Sequence, residues 1–193
     1  PKRVHAPGIR FEDLPRIDIV LISHNHYDHM DIATLKRLQK SFAPRIYAPL
    51  GNGRTLARHG MQDVVEMDWW QELPLGECLK LACVPARHFS ARGMWDQRKA
   101  LWSGFVIEDD AGAVYIAGDT GFGPHFKQIA QRFTNISVDL LPIGAFLPEW
   151  FMGPHHLSPA DAVKAHGILR ARTSIAAHFG TFPLGDDSQH EPE

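Results

Sequence analysis

The stretch IDIVLISHNHYDHM, residues 17–30, decides the fold class because it joins a strand-like apolar run to a dense group of potential metal ligands. Residues 17–22 are mostly β-branched or aliphatic, which predicts a buried strand. Four side chains that bind metals follow within six residues: His24, His26, Asp28 and His29. This density predicts a metal site at the strand end, and a merely histidine-rich polar loop is the weaker alternative.

The spacing within this stretch indicates how the ligands are shared. His24 and His26 lie two residues apart at a strand end, so both imidazoles face the same way and can bind one ion. Asp28 and His29 follow in the turn, where they can reach a second ion. Imidazole nitrogens and carboxylate oxygens are ligands that zinc accepts. We therefore expect the turn to contribute to two neighbouring ions.

The rest of the chain alternates between helical and strand patterns. Asp31 is placed to cap a helix, and Ser158 followed by Pro159 is typical of a helix start. A hairpin is expected around Asp109, Asp110 and Gly112, and a frayed polar tail from Gly185. The predicted helices are 31–42, 52–59, 126–133 and one from 158, and the predicted strands are 17–22, 45–49, 63–67, 79–85, 102–108, 113–117, 138–143 and 173–177.

Four potential ligands share one position relative to the strands. His24, His88, Asp119 and His178 each come directly after a predicted strand. In layered α/β folds, functional groups collect at strand ends, so these separate segments are expected to meet. Two ions need about seven protein ligands and a shared water. The count is completed by His24, His26, His88 and Asp119 for one ion and by Asp28, His29, Asp119 and His178 for the other.

The remaining histidines fit this pattern less well. His155 and His156 lie on a tight loop before the helix at Ser158, and we expect one of them in the pocket. His59 and His166 each precede a glycine at a predicted helix end, where an imidazolium interacts favourably with the helix dipole, so both are interpreted as structural. No supporting context accompanies His5, His125 and His190.

An apolar loop precedes this histidine pair. Phe146, Leu147, Trp150, Phe151 and Met152 are interrupted by proline. Packing in the core is the simpler interpretation of these side chains. The functional alternative is an apolar pocket wall for a greasy part of a substrate.

Composition restricts the possible classes of function. With 193 residues and 44% hydrophobic side chains, the chain fits one globular domain. The net charge of -2 gives no general attraction to nucleic acid. No apolar stretch reaches the roughly 20 residues of a transmembrane helix. Cys78 and Cys83 are too far apart on one strand for a disulfide, so a soluble, cytoplasmic protein with reduced thiols is expected.

Five motifs together resemble a known family. They are SHNHYDH at 23–29, AGDTGF at 117–122, PIGAF at 142–146, the WFM to HH stretch at 150–156, and AHFGTFPL at 177–184. They are similar to the metallo-β-lactamase superfamily, and in particular to the branch containing N-acyl-phosphatidylethanolamine-hydrolysing phospholipase D and its bacterial relatives. The resemblance implies an αββα sandwich of the α/β (α+β) class with two metal ions between its sheets. It also implies the two ligand sets given above, and His156 as the further active-site histidine.

The resemblance bears on domain organisation as well. Family members have strands before the point where this chain starts and a stretch beyond its end. We therefore expect residues 1–193 to form a single hydrolase domain that is incomplete at both ends and lacks its N-terminal strands. An uncovered sheet edge could pair with another copy, so a homo-oligomer is possible.

The function implied is metal-dependent hydrolysis by a hydroxide bridging two divalent ions, with zinc as the first choice and manganese or iron as alternatives. Asp28 would orient the hydroxide or take its proton, and His156 would bind the substrate oxyanion or donate to the leaving group. A phosphodiesterase of phospholipase-D-like type, acting on a lipid-like small molecule with peripheral membrane contact, is the leading hypothesis. The alternatives are a lactonase or other carboxylic-ester hydrolase, and a catalytically silent metal-binding scaffold.

Overall fold

A computed structural model describes residues 2–188 and 190–192 and divides the chain into two compact units. The first unit comprises residues 6–69 and 89–102. The second unit comprises residues 1–5, 70–88 and 103–193. The expectation of one domain over residues 1–193 stays a prediction.

The first unit is built on a parallel sheet of three strands. These are β1 (Ile19–Leu21), β2 (Arg45–Pro49) and β3 (Val64–Met67), hydrogen-bonded in that order. The connections contain α1 (Ile32–Phe42) and α2 (Gly53–Arg58), as parallel strands require a crossover. A core forms from side chains of all these regions: Ile22, Met30, Leu35, Ile46, Ala48, Leu56 and Met61.

Helix α1 begins where the sequence predicts, directly after the stretch of residues 17–30. The Asp31 carboxylate accepts hydrogen bonds from the Thr34 amide at 2.9 Å and from the Thr34 hydroxyl at 2.6 Å. The helix ends at Phe42, because the C-cap residue Ala43 has a left-handed φ of 47° that stops the α-helical path. The N-cap fixes the direction in which the chain leaves the potential ligands, because it anchors the first turn directly after His29 and Met30.

The second unit is built on a mixed sheet of six strands in sequential order. Strands β4 to β7 pair antiparallel, and β7, β8 and β9 pair parallel. The strands are β4 (Glu72–Pro74), β5 (Lys80–Val84), β6 (Gly104–Asp109), β7 (Gly112–Ile116), β8 (Ile136–Pro142) and β9 (Thr173–Ala177), and the helices are α3 (His125–Arg132), α4 (Glu149–Met152) and α5 (Pro159–Leu169).

Helices α3 and α5 pack on this sheet through a continuous apolar core. Side chains of both helices join those of β7 and β8, including Tyr115, Phe126, Ile129, Leu141 and Leu169. Full burial of one such side chain contributes roughly 1.5–3 kcal/mol. This packing holds the strand ends of the second unit, from which three of the potential ligands project.

Most sequence predictions of elements are confirmed, including the mixed α/β class, the Asp31 and Ser158 caps and the β6–β7 hairpin. Strand β4 and helix α4 are additional elements. The expectation of a frayed tail is wrong for Asp186 and Asp187. The Asp186 amide donates to the Leu147 carbonyl, and the Asp187 carboxylate accepts hydrogen bonds from the amides of Ala145 (3.0 Å) and Leu147 (3.3 Å). The sequence shows no pattern for such a distant contact.

Two further expectations concern thiols and membranes. Neither Cys78, which is exposed, nor Cys83, which is buried in β5, forms a disulfide. Among residues 2–188 and 190–192, none of the helices has the length and apolar character needed to cross a membrane.

Candidate metal centre

The first unit contributes a turn of residues 23–30, called the histidine turn below. After β1, the Ile22 amide still bonds the Tyr47 carbonyl at 2.9 Å, so the chain is held beside β2 up to Ile22, two residues before His24. His24 is 1% exposed. Its Nε2 atom lies 2.9 Å from Nδ1 of His26, and the two rings are edge to face. The predicted convergence of these imidazoles is present.

Separations between potential ligand atoms test whether the turn suits an ion. Two atoms on one tetrahedral ion, each at about 2.0–2.1 Å from it, lie about 3.3 Å apart. The His24–His26 nitrogen separation is 2.9 Å, and Asp28 Oδ2 lies 3.1 Å from His29 Nε2. Both pairs are close to the required spacing, and both consist of atom types that zinc and similar ions bind.

The conformation of the histidine turn is supported from within. The amides of His29 and Met30 both donate to the His26 carbonyl, at 3.2 and 2.8 Å. The Ser23 hydroxyl lies 3.0 Å from Nδ1 of His24 and 3.4 Å from Nδ1 of His29. One hydroxyl therefore contacts the Nδ1 side of two rings, and both Nε2 atoms are oriented away from it.

The second unit contributes His88, Asp119 and His178, called the strand-end group below. The Asp119 carboxylate lies between the two imidazoles: Oδ2 is 3.8 Å from His88 Nε2, and Oδ1 is 3.3 Å from His178 Nε2. His88 and Asp119 are each 4% exposed. Since each oxygen faces a different histidine, Asp119 has the orientation of a bridging ligand.

A backbone contact fixes the orientation of His88. Its Nδ1 atom lies 3.0 Å from the His155 carbonyl oxygen. A carbonyl only accepts, so Nδ1 carries the proton and Nε2 keeps its lone pair towards Asp119. Carbonyl contacts of this kind commonly orient metal-binding histidines. The second unit therefore also fits a divalent cation.

His178 adopts an uncommon backbone conformation at the end of β9. Its φ of 57° is left-handed, which costs roughly 1–2 kcal/mol for a residue with a side chain. The neighbouring Gly144 leaves no space for a side chain, because a Cβ there would collide with the His178 carbonyl oxygen. Strain of this kind often accompanies functional positions.

The structure brings His156 close to the strand-end group. Its ring centroid is 5.1 Å from that of His88 and 5.8 Å from that of His178, with which it stacks. The amides of His155 and His156 both donate to the Met152 carbonyl, so the turn after α4 positions the pair. His155 contributes its carbonyl to His88, whereas His156 contributes its ring.

The apolar loop before this histidine pair contains both buried and exposed side chains. Phe146 is buried, as core packing predicts. Trp150 and Phe151 are 82% and 62% exposed, so core packing is wrong for these two side chains. Their rings lie 5.6 Å apart on α4, where they form an exposed aromatic pair. An apolar pattern alone does not distinguish a buried loop from an exposed one.

His125 is a residue whose environment the sequence did not indicate. It is 5% exposed, and its Nε2 lies 3.1 Å from the Thr120 hydroxyl. That hydroxyl also accepts from the Arg87 amide and donates to the Gly121 carbonyl, so His125 Nε2 is the donor. Burial, and then the charge of Arg87, lowers the pKa of His125 to about 4. A neutral imidazole therefore supports the turn that carries Asp119.

His59 and His166, the two histidines interpreted as structural, differ in their position relative to the ends of their helices. His59 caps the end of α2, as predicted, with Nδ1 2.8 Å from the Thr55 carbonyl. His166 does not end its helix, because α5 continues to Leu169. Its Nδ1 atom instead lies 2.7 Å from the Ser174 hydroxyl. The glycine after His166 was misleading as a stop signal.

Histidine and aspartate side chains among the described residues form groups that could hold a metal ion. The histidine turn and the strand-end group both consist largely of such side chains. Comparison with known proteins gives these groups their context.

The family model "Beta-lactamase superfamily domain" matches residues 1–179. The chain is 37% identical over 196 residues to N-acyl-phosphatidylethanolamine-hydrolyzing phospholipase D 1 of Caenorhabditis elegans, covering 96% of this chain and 55% of that protein. It is 33% identical over 199 residues to the mitochondrial N-acyl-phosphatidylethanolamine-hydrolyzing phospholipase D of Saccharomyces cerevisiae, covering 100% of this chain and 42% of that protein. The chain thus spans about half the length of these relatives.

A solved structure agrees with the sequence comparisons. Igni18, described as a novel metallo hydrolase from the hyperthermophilic archaeon Ignicoccus hospitalis, superposes with a TM-score of 0.75 at 26% identity. The superposition covers 93% of this chain and 73% of that protein. The family model and the relatives therefore show that this chain belongs to the metallo-β-lactamase superfamily.

Proposed function

We propose that this chain is a metal-dependent hydrolase with a dinuclear site, and that zinc is its metal. The observation that carries the proposal is the bridging orientation of Asp119, whose two oxygens face His178 at 3.3 Å and His88 at 3.8 Å. The family supports it as well, since the superposed Igni18 is described as a metallo hydrolase.

The proposed ligands form two sets that share Asp119. Support for the assignment comes from contacts within each unit. His24 lies beside His26 and Asp28 beside His29 in the histidine turn, and Asp119 faces both His88 and His178 in the strand-end group. Histidine nitrogen and aspartate oxygen are suitable donors for zinc, and the absence of thiolates from both sets also leaves manganese or iron acceptable. The sets are His24, His26, His88 and Asp119 for one ion, and Asp28, His29, Asp119 and His178 for the other.

When bound, divalent ions lower the pKa of water towards roughly 7 and stabilise negative charge at the reacting centre. The residues of the chain would supply orientation and proton transfer. Asp28, with Oδ2 3.1 Å from His29 Nε2, would orient the attacking water and accept its proton. His156 would donate a hydrogen bond to the substrate oxyanion or a proton to the leaving group, because its ring lies beside those of His88 and His178.

The proposed substrate is a phosphodiester with a lipid-like portion. Two relatives are named as phospholipases D that hydrolyse N-acyl-phosphatidylethanolamine, which motivates the choice of bond. The exposed aromatic pair Trp150 and Phe151 offers apolar surface in the segment that precedes His156, which suits an acyl chain. A lactone or another carboxylic ester is the alternative substrate for the same ligands.

The test combines metal analysis with two substrates. We expect close to two zinc-like ions per purified chain, loss of hydrolysis after chelation, and recovery with zinc or manganese. A chromogenic phosphodiester and a lactone, assayed side by side, separate the two substrate classes. His88→Ala should abolish hydrolysis, whereas the matched variant His59→Ala, at the end of α2, should retain it. Well under one ion per chain, with no hydrolysis restored by either metal, would overturn the proposal.

A further inference from the structure

Arg92 contacts the histidine turn from a segment that contains no helix or strand. It belongs to residues 89–102 of the first unit, far from the turn in sequence. Its Nη1 atom donates to the Asn25 carbonyl at 3.0 Å and to the Met30 carbonyl at 2.9 Å. These two carbonyls enclose residues 26–29, which include three proposed ligands. One side-chain nitrogen thus holds both ends of the ligand-bearing part of the turn.

Tyr27 makes the contact reciprocal. The Arg92 guanidinium carbon lies 4.3 Å from the centroid of the Tyr27 ring, and the Tyr27 hydroxyl donates to the Arg92 carbonyl at 2.7 Å. Tyr27 is 65% exposed, and its position in the middle of the turn has no role in the ligand sets. The ring restricts the orientation of the guanidinium, and the hydroxyl holds the backbone of Arg92 beside the turn.

The backbone of Arg92 is itself fixed. The Asp96 carboxylate accepts hydrogen bonds from the Arg92 amide at 3.0 Å and from the Gly93 amide at 2.8 Å. The Arg98 amide then donates to the Ser90 carbonyl at 2.7 Å, which closes the loop. The loop is therefore held by its own hydrogen bonds and does not depend on the histidine turn alone. For this reason, the Arg92 side chain can impose a conformation on the turn.

If the guanidinium were removed, water could not easily replace it as the hydrogen-bond donor to the Asn25 and Met30 carbonyls, because these residues are buried. Asn25 is 6% exposed and Met30 is fully buried at 0%. A buried carbonyl that loses its hydrogen-bond donor is left unsatisfied, and this destabilises the conformation in which it is buried. The turn would then sample other conformations, and ion binding would have to restore order at a cost in affinity.

We propose that Arg92 is a positioning residue that holds residues 25–30 in the ligand-binding conformation before any ion binds. The role rests on the proposed metal site for its effect on affinity, but the ordering of the turn is a property of the metal-free chain. Residues that support metal ligands typically contribute about 10- to 100-fold to metal affinity. Lysine cannot replace arginine here, because it lacks the planar group that stacks on Tyr27 and the length to reach both carbonyls.

The test compares Arg92→Lys with Arg98→Lys, the same substitution on the same loop at an exposed side chain. Zinc affinity, measured by competition with a chromogenic chelator, should fall about 10- to 100-fold for Arg92→Lys. It should change less than about twofold for Arg98→Lys, within ordinary surface effects. Tyr27→Phe, which keeps the ring and removes one hydrogen bond, should give a smaller loss and provides a variant that folds readily.

Hydrogen exchange in the metal-free proteins supplies a readout that needs no ion. The amides of His29 and Met30, which bond the His26 carbonyl, should exchange about tenfold faster in Arg92→Lys, while amides of β2 keep their wild-type rates. Unchanged exchange at these two amides would overturn the positioning role. A wild-type chain that binds no zinc but shows the exchange difference would overturn the proposed function and leave the positioning of the turn standing.

Discussion

The two groups of proposed ligands are assembled in opposite ways. The histidine turn carries four of them within six residues after one strand, and its conformation depends on nearby hydrogen bonds and on Arg92. The strand-end group takes one residue from each of three segments spread over residues 88–178. A local group depends on one turn, whereas a distributed group depends on the packing of a whole sheet. The two should therefore respond differently to substitution.

The largest difference is expected at Asp119, which belongs to both proposed ligand sets. Asp119→Asn should remove both ions and lower hydrolysis by at least about a hundredfold. This figure is the upper end of the effect of residues that only support ligands, and a direct ligand should contribute at least as much. Asp28→Asn, in the histidine turn, should remove one ion. Metal analysis of the purified variants measures this directly, with Asp110→Asn at the exposed hairpin tip as the control. Retention of two ions by Asp119→Asn would contradict a bridging role.

His125 predicts a pH effect specific to the support of the strand-end group. Its folded-state pKa of about 4 lies below the ordinary histidine value of 6.5, so the unfolded chain binds more protons between these values. The free energy of unfolding should therefore fall as the pH decreases from 6.5 to 4, by up to about 3 kcal/mol. Denaturant unfolding of the metal-free chain over this range measures the effect, and His125→Gln should lack that part of the slope. Equal slopes in the two proteins would refute it.

Gly121 tests how strongly packing controls the strand-end group. A Cβ at this position would lie 2.6 Å from the carbonyl oxygens of Gly153 and Pro154, which belong to the backbone before His155. Gly121→Ala should destabilise the fold by about 2 kcal/mol because this backbone must move. Gly167→Ala, in α5 with no atom within 4 Å of its Cβ, should stabilise it by up to about 1 kcal/mol. Thermal unfolding should show shifts of opposite sign.

The smallest effect is expected at the helix caps, where the two units should behave alike. Asp31→Ala and Ser158→Ala each remove a side chain that accepts an amide hydrogen bond, from Thr34 and Asp161 respectively. Each should lower the free energy of unfolding by about 1 kcal/mol. Chemical denaturation of both variants measures these two changes in the free energy of unfolding. A clearly larger loss of unfolding free energy in one of the two variants would contradict the expectation that the caps of the two units behave alike.

These contrasts also explain what the sequence could predict. Helix α1, strand β2 and strand β9 have clear caps or apolar patterns, so their positions were predicted closely. The histidine turn was recognisable from spacing alone. The strand-end group required the additional assumption that strand ends meet, together with the resemblance to a family.

Long-range polar contacts were not predictable, because a single side chain bonding a distant carbonyl leaves no periodic pattern. The contact of Arg92 with Asn25 and that of Asp187 with Ala145 are of this kind. The environment of Asp139 was not predictable either: this residue is buried in β8, and burial raises its pKa. An isolated aspartate in an apolar run gives no indication of whether it faces solvent.

The difference in exposure between Cys78 and Cys83 has a practical consequence for all of these measurements. Cys78 is exposed and Cys83 is completely buried in β5, at 0% exposure. A maleimide dye should therefore label one site on the folded chain and two on the unfolded chain. Counting dye molecules by mass spectrometry gives the unfolded fraction of any variant without an engineered probe. The natural sequence already contains an internal reporter of its own folding.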